Sequence, residues 1–206
     1  MPLPSLKNIE WVTTDCYGTL IDWEKGIVEA CSKEAEKDGF SFDPEPFLER
    51  FFEVQAEIMS GSYELYAEVL RRTIIKVAGE IGWEVEPSRA QFLPDSVAYW
   101  LPFRESNAAM DRLGKKYNIG IVSNIDDKML AGARSFVEAE ALGNVTLLKD
   151  DLFASQLPAA SFDLVHSRFQ IAPLGRAAEQ ITVYRRLVKP GGWIVLEDPD
   201  MASWRV

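Results

Sequence analysis

The chain has 206 residues, of which 47% are hydrophobic and 26% charged, an ordinary globular composition with room for one large domain or a domain with an insertion. Its formal net charge of -10 argues against nucleic acid and anionic membranes as partners, because their phosphates would repel it. Because the start has no signal-peptide core and no apolar run could span a bilayer, we expect a cytoplasmic protein without membrane contacts.

The chain opens with the strand signal "IEWVTTD", which breaks at Gly18. A long helical region follows and is predicted to form a cap over residues 23–102. Within it, "DPEPFLERFFEVQAEIMSG" carries an N-cap candidate, Asp43, and a terminating glycine, Gly61. The cap is rich in aromatic residues, which we predict to be core rather than a substrate pocket: Phe47, Phe51, Phe52, Tyr63 and Tyr66.

Four further strand signals alternate with helices, namely "NIGIVSN", "NVTLLKDD", "FDLVHSRF" and "GGWIVLEDP". Alternating strands and helices predict an α/β fold with a parallel sheet and right-handed crossovers. We therefore predict a core made of residues 1–22 and 103–206, interrupted by the cap.

The first 124 residues resemble the haloacid dehalogenase superfamily, and within it the L-2-haloacid dehalogenases. The resemblance rests on "DCYGTLID" after an apolar strand, a helical cap, "WLPF" returning to the core, and "IVSN" about a hundred residues later. It implies that Asp15 is a nucleophile, which suits a carboxylate at a strand end, and that Thr19 fixes it. It also implies that Ser123 and Asn124 bind substrate oxygens. Phosphatases of the superfamily keep an acidic residue where this chain has Tyr17, so the dehalogenase branch is favoured and magnesium binding is weakened.

Residues 125–206 resemble the second half of a class I S-adenosylmethionine-dependent methyltransferase, through "MLAGARSFVEAEALGNVTLLKDDLFASQLPAASFDLVHSRF" and "YRRLVKPGGWIVLEDPD". The resemblance implies an adenine contact at Asp151, beside Leu152. The family's glycine-rich loop after the first strand is replaced by "DCYGTL". Its ribose-binding acidic residue falls on Asn124, an amide. Two of three cofactor-fixing features are therefore lost.

Both families place strands three, two and one in that order, so their halves can share one sheet. The predicted fold is a doubly wound, Rossmann-like parallel sheet of order 3-2-1-4-5 with an inserted helical cap. The join lies between Asn124 and Ile125. The leading interpretation is an engineered or recombined chimera without efficient turnover. Two alternatives stay open: a haloacid dehalogenase-type hydrolase acting through Asp15, and a weak S-adenosylmethionine-binding or adenosine-binding remnant.

Several groups that the hydrolase resemblance requires have no good match. Lys189 could stand for the charge-balancing lysine, but it precedes a strand, whereas ligands bind beyond the carboxyl ends. Arg50 is a poor match for the halide-binding arginine of the cap. His166, the sole histidine, is interpreted as a polar strand end. Arg168 is a candidate anion-binding residue, because its strand should lie beside Asp15.

No cofactor is expected, and S-adenosylmethionine and magnesium are the weaker alternatives. Six acidic residues could gather at the carboxyl edge of the sheet, but solvated caps and loops are the favoured interpretation, so no metal site is predicted: Asp126, Asp127, Asp150, Asp151, Glu197 and Asp198. Cys16 and Cys31 lack the spacing of a zinc site or disulfide framework. The fifth strand should be an exposed edge, so a homodimer is expected, through this edge or through the cap.

Overall fold

The computed structural model describes residues 10–62, 64–121, 123, 125–139, 141, 143, 145–168, 170–171 and 175–197. The chain divides into two compact units. An α/β unit contains Met1–Thr19, Arg104–Ser123 and Leu148–Val206, and a helical unit contains Leu20–Phe103 and Asn124–Leu147. The helical unit thus includes a segment after the second strand, whereas the predicted cap comprises residues 23–102 alone.

Among the described residues of the α/β unit, four parallel strands form two hydrogen-bonded pairs: β1 (Trp11–Thr14) with β2 (Asn118–Ile121), and β3 (Phe162–Arg168) with β4 (Val188–Glu197). Along the described residues β1 also lies against β3, without a hydrogen-bonded ladder between them. The predicted α/β class and parallel pairing are therefore confirmed. The strands β3 and β4 correspond to the fourth and fifth strands expected from the sequence.

Over its described residues, 145–151, the predicted third strand "NVTLLKDD" is not formed. Residues 145–150 are neither helix nor strand, and Val145 and Leu148 are 40% and 66% exposed. A strand of this composition needs a partner strand and a cover for its apolar side chains. The polar end of the segment is engaged in local turns instead, because the carboxylates of Asp150 and Asp151 accept hydrogen bonds from residues just after them.

In the part of the chain that the structure describes, the α-helices are α1 (Trp23–Glu36), α2 (Pro44–Met59), α3 (Tyr66–Glu80), α4 (Phe92–Ser96), α5 (Ser106–Gly114), α6 (Asp127–Ala139) and α7 (Ala177–Leu187). Asp22 caps α1 by accepting the Lys25 N–H, and Asp43 caps α2 as predicted, accepting the Glu45 N–H beside Pro44. The Leu65 side chain at the start of α3 makes no capping bond.

The best-packed core of the described residues lies in the helical unit. Phe51, Leu70 and Ile74 are fully buried where α2 packs against α3. Phe47 is 3% exposed, so the prediction of an aromatic core is confirmed there, while Tyr63 lies outside the described residues. In the α/β unit, few described side chains are buried, and most of them belong to α7. The sheet therefore has a thinner apolar core than the helices.

A search of the described residues finds no helix that is both long enough and apolar enough to cross a membrane.

Candidate active site

A tight turn at the carboxyl end of β1 carries the predicted nucleophile. Asp15 follows the last strand residue, and the Thr19 hydroxyl donates a hydrogen bond of 3.1 Å to its Oδ2. The turn closes because the Thr19 N–H donates to the carbonyl of Cys16 at 3.3 Å. Gly18 has a φ of 78°, a conformation that side chains with a Cβ rarely adopt. The turn thus brings Asp15 and Thr19 together as the sequence predicts.

The two residues after Asp15 are neutral at physiological pH. Burial raises the pKa of the Cys16 thiol to about 11, and the negative charge of Asp15 adds to the effect. Burial, together with the neighbouring Cys16, raises the pKa of the Tyr17 phenol to about 12. A general acid acts best when its pKa lies near the working pH. Tyr17 therefore cannot readily replace the carboxylic acid of the phosphatase branch.

The remaining predicted anion-binding groups are only partly described. Ser123 is half-buried and follows β2 closely, and Asn124 lies outside the described residues. Arg168 ends β3 opposite Glu197, but its side chain is outside the described part of the chain. Its role as an anion-binding residue stays a prediction.

Lys189 lies at the amino edge of the sheet, as its position in the sequence indicates. Its Nζ is 2.9 Å from both carboxylate oxygens of Asp163, so a lysine near the start of β4 is paired with an aspartate near the start of β3. In open α/β sheets, ligands bind beyond the carboxyl ends of the strands. Lys189 is therefore held at the edge away from the Asp15 turn.

The predicted adenine contact, Asp151, is part of a local turn. Its Oδ1 accepts the Phe153 N–H at 2.9 Å, which caps a short 3-10 helix that begins at Leu152. Asp150, beside it, accepts the Gln156 N–H at 2.9 Å and a bond from the Ser155 hydroxyl. Burial raises the pKa of Asp150, but these hydrogen bonds outweigh it, and the pKa lies below its ordinary value.

The adenosyl cofactor is a poor match for the residues present. The Asp151 carboxylate accepts one bond within its own turn, and its remaining lone pairs could supply a single hydrogen bond to an adenine amine. The turn after β1 carries a half-buried Tyr17 instead of the small residues that let a backbone approach a ligand closely. Among the described residues, no three His, Cys, Asp or Glu side chains group so as to hold a metal ion.

A buried polar network fixes the chain after β3, and the sequence analysis missed it. The Tyr184 hydroxyl is 3.0 Å from Gln180 Oε1 and 3.1 Å from Ser167 Oγ. Since the amide oxygen only accepts, the phenol donates to Gln180 and the serine hydroxyl donates to the phenol. The Gln180 amide nitrogen donates to the carbonyl of Gly175 at 2.6 Å. The signal that the sequence offered was a pair of polar residues four positions apart on one helix, Gln180 and Tyr184.

Arg50 and His166, two other candidates from the sequence, each contact a glutamate. The Arg50 guanidinium donates to both oxygens of Glu80, at 2.6 and 2.9 Å, and so joins α2 to α3. This exposed pair has the geometry of a structural bridge, and the hydrogen bonds that Arg50 donates to the carboxylates of Glu80 and Glu53 raise the pKa of its guanidinium. His166 Nε2 is 3.2 Å from Glu197 Oε1, which agrees with its interpretation as a polar strand end.

Asp126, a metal candidate in the sequence, caps a helix distant from it in the chain. Its two carboxylate oxygens accept the Tyr66 and Ala67 N–H groups, at 2.9 and 2.7 Å, and the residue is only 7% exposed. These N–H groups begin α3 and need an acceptor outside the helix. Since α3 has no side-chain cap of its own, Asp126 supplies it.

The methyltransferase domain family matches residues 106–196. This match begins upstream of the predicted join, so α5 and β2 are common to both resemblances. No curated protein matches the chain.

Solved structures give the second likeness. A defluorinating L-2-haloacid dehalogenase is similar over 62% of this chain and 56% of its own, at 22% identity and a TM-score of 0.52. Another L-2-haloacid dehalogenase covers 60% and 55%, at 18% identity and 0.50. The HAD-hydrolase YfnB of Bacillus subtilis, solved with magnesium, covers 66% and 62%, at 12% identity and 0.51. The chain thus spans less than two thirds of each of these proteins.

Together these likenesses define an α/β chain that resembles two families. It has the fold of haloacid dehalogenase relatives and a methyltransferase domain match. The predicted double resemblance is confirmed.

Proposed function

We propose that the chain is a chimera, with a hydrolase-type first part and a methyltransferase-type second part in one Rossmann-like core, and that it has no efficient catalysis. The observation that carries the proposal is the pairing of Lys189 with Asp163 at 2.9 Å. Lys189 is the lysine of the sequence that resembles the charge-balancing lysine of the hydrolase. It lies at the amino edge of the sheet, away from Asp15.

The chemistry of nucleophilic attack explains why this matters. A carboxylate that attacks carbon or phosphorus needs cations and donors placed where charge develops. Removing one such group typically costs a hundredfold to a thousandfold in rate, an order-of-magnitude figure. The neutral Tyr17, with a pKa of about 12, offers little acid catalysis in compensation. We therefore expect at most trace turnover.

Chloroacetate and fluoroacetate hydrolysis by the purified full chain tests this proposal, with halide release as the readout. The chain, Asp15→Asn and the exposed α5 variant Asp111→Asn should all give the same trace rate. A rate near that of ordinary enzymes, lost in Asp15→Asn and kept in Asp111→Asn, would refute the absence of catalysis.

That refuting result would support a second candidate, a haloacid dehalogenase-type hydrolase. The observation in its favour is the 3.1 Å hydrogen bond from Thr19 to Asp15, which holds the carboxylate in one orientation. In this function Asp15 attacks the carbon that carries the halogen, and halide leaves as the ester forms. Water then hydrolyses the ester. Activated esters are the alternative substrates.

We also propose the doubly wound strand order 3-2-1-4-5 with the helical unit as cap, a cytoplasmic location and no resident cofactor. In this order the numbers count the strands predicted from the sequence, so β3 is the fourth strand. The order is supported because β2 and β3 both lie beside β1. The absence of a cofactor is supported by the half-buried Tyr17 in the turn after β1, where a close backbone approach to a ligand needs small residues. An adenosine-binding remnant is the third candidate.

A further inference from the structure

The described strands of the α/β unit are bonded as two pairs, and the line between the pairs has no hydrogen-bonded ladder. The strand β1 is bonded in register to β2, and β3 to β4, whereas β1 and β3 only lie side by side. We call the line between β1 and β3 the seam. Backbone N–H and C=O groups of a strand point in turn to its two edges, so about half of those in β1 and β3 face the seam. Since paired backbone groups give a sheet its cohesion, the seam is a line of weak cohesion among the described strands.

The first pair of strands is held together on its own side of the seam. Residues of β1 and β2 are paired from Trp11 with Asn118 to Thr14 with Ile121. The Asn118 N–H also donates to the Glu10 carbonyl at 2.8 Å, so the bonding continues before β1. The helix α5 packs along β2. These contacts join β1, β2 and α5 into a first piece.

The second pair is bonded to the helix between its strands. Lys189 Nζ is 2.9 Å from both carboxylate oxygens of Asp163, which joins the starts of β4 and β3. The Ala160 N–H donates to the Arg186 carbonyl at 2.8 Å, and the Arg186 guanidinium donates to the Ser155 carbonyl at 2.8 Å. The buried polar network of α7 adds a bond to β3. These contacts join β3, α7 and β4 into a second piece.

The seam also separates the two resemblances in space. The strand β1 lies in the part that resembles the haloacid dehalogenases and precedes the methyltransferase match, which covers residues 106–196. That match contains β3 and nearly all of β4, and it shares α5 and β2 with the first resemblance. The strands β1 and β3 are therefore neighbours whose facing edges come from different patterns.

We propose that the α/β unit opens along the seam, with the first and second pieces moving as two rigid bodies. Asp15 follows the end of β1, and Arg168 ends β3, so opening changes the distance between these two ends. The carboxyl edge of the sheet is then complete only while the seam is closed, and the motion regulates any chemistry at Asp15. The inference rests on the proposed chimera, because it assigns the seam to the meeting of two parent patterns.

Hydrogen exchange of single backbone amides, followed by NMR on the full chain, tests the seam. An amide in a ladder exchanges when its own piece unfolds, whereas an amide that faces the seam exchanges whenever the seam opens. We therefore expect protection to alternate along β3. Amides bonded to β4 should exchange about a hundredfold more slowly than the amides between them, which face β1. Even protection along β3 would overturn the proposal, because it would show that β1 and β3 are joined.

A hydroxyl deletion separates the opening of the seam from the unfolding of the second piece. Tyr184→Phe removes the phenol that joins Ser167 to Gln180, so the amides of β3 bonded to β4 should exchange about fivefold faster. The amides that face the seam should keep their wild-type rates. If Tyr184→Phe does not fold, Ser167→Ala removes the other end of the same bond. Thr182→Val deletes an exposed hydroxyl of α7 and, as the control, should change neither set.

Two results of these variants would also overturn the proposal. Equal acceleration of both sets of amides would show that the seam opens only when the second piece unfolds. Unchanged amides in the ladder with β4 would show that the second piece is not held as described. The readout is independent of turnover. Halide release with alternating protection would refute the absence of catalysis alone, and a trace rate with even protection would refute the seam alone.

Discussion

Individual aspartates show how far a residue's neighbours decide its role. Asp15 ends a strand and receives the hydroxyl of Thr19, Asp151 caps the turn that follows it, and Asp126 caps a helix that begins 60 positions earlier. Asp38 accepts two bonds from the Arg89 guanidinium, at 2.9 Å each. The four carboxylates share one chemistry and differ in which donors the fold places within reach.

Arg89 donates hydrogen bonds to the carboxylates of Glu34 and Asp38, and these three residues form the Arg89 cluster. The cluster predicts a loss of stability in acid. Hydrogen bonds from Arg89 and Trp83 hold the pKa of Asp38 below its ordinary value of 3.8. Burial raises the pKa of Glu34, but hydrogen bonds from Lys37 and Arg89 outweigh it and leave it below 4.5. A lowered carboxyl pKa adds stability above the unfolded-state pKa, and that stability is lost as the pH falls through the folded-state value.

Urea unfolding at pH 7 and pH 3 measures this contribution. We expect the free energy of unfolding to fall towards pH 3, and to fall less in Arg89→Met than in the wild type. Lys25→Met, which removes an exposed pair with Glu29, is the control and should keep the wild-type pH dependence. Equal pH dependence in all three would show that the cluster contributes nothing.

At the same scale, Asp151 predicts weak cofactor binding. One hydrogen bond contributes about 1 kcal/mol net, so S-adenosylmethionine and S-adenosylhomocysteine should bind no tighter than roughly millimolar. Isothermal calorimetry with the wild type and Asp151→Asn should give the same weak signal. A micromolar dissociation constant that Asp151→Asn weakens would contradict the prediction.

Among the elements, α1 packs closely against the chain that leaves the helical unit. A Cβ added at Gly26 would lie 2.4 Å from Cγ of Trp100, which is itself 8% exposed and bonded through Nε1 to Ser96. Real Cβ atoms do not approach that closely. Glycine at this position is therefore a packing requirement, since its loss must displace a buried indole.

Gly26→Ala should lower the free energy of unfolding by about 1 to 3 kcal/mol, because overpacking forces Trp100 out of place. Gly79→Ala is the matched control on α3, where an added Cβ meets nothing within 4 Å. That change should raise the stability by about 0.5 to 1 kcal/mol, from helix propensity alone. Urea unfolding followed by tryptophan fluorescence checks both, and equal effects of the two variants would refute the packing argument.

For the whole molecule, the strand β4 remains the expected edge for self-association. Val195 and Leu196 are 37% and 42% exposed, and over the described residues β4 pairs only with β3. An exposed apolar edge invites pairing with another chain. We therefore expect a homodimer, through β4 or through the helical unit, where Leu101 is 58% exposed.

Light scattering over a wide range of protein concentration tests the dimer. Leu196→Lys should give a monomer if β4 forms the interface, and Leu101→Lys should do so if the helical unit does. A constant monomer mass of the wild type at high concentration would rule out both.

The sequence by itself determined what depends on neighbouring residues. It predicted the strand before Asp15, the Asp15–Thr19 pair, the Asp43 cap and the likeness to two families, because short patterns of polarity and turn residues carry them. The position of Lys189 at the amino edge of the sheet could also be predicted, because Lys189 stands just before a strand signal in the sequence.

The tertiary structure decided the rest, because these features join residues far apart in the chain. Asp126 accepts hydrogen bonds from the start of α3, and the described part of the predicted third strand forms no ladder because pairing needs an edge and a covering helix. Trp83 found Asp38, 45 positions away, at 2.9 Å. A local pattern states what a segment can form, and competition among distant partners decides which of them it meets.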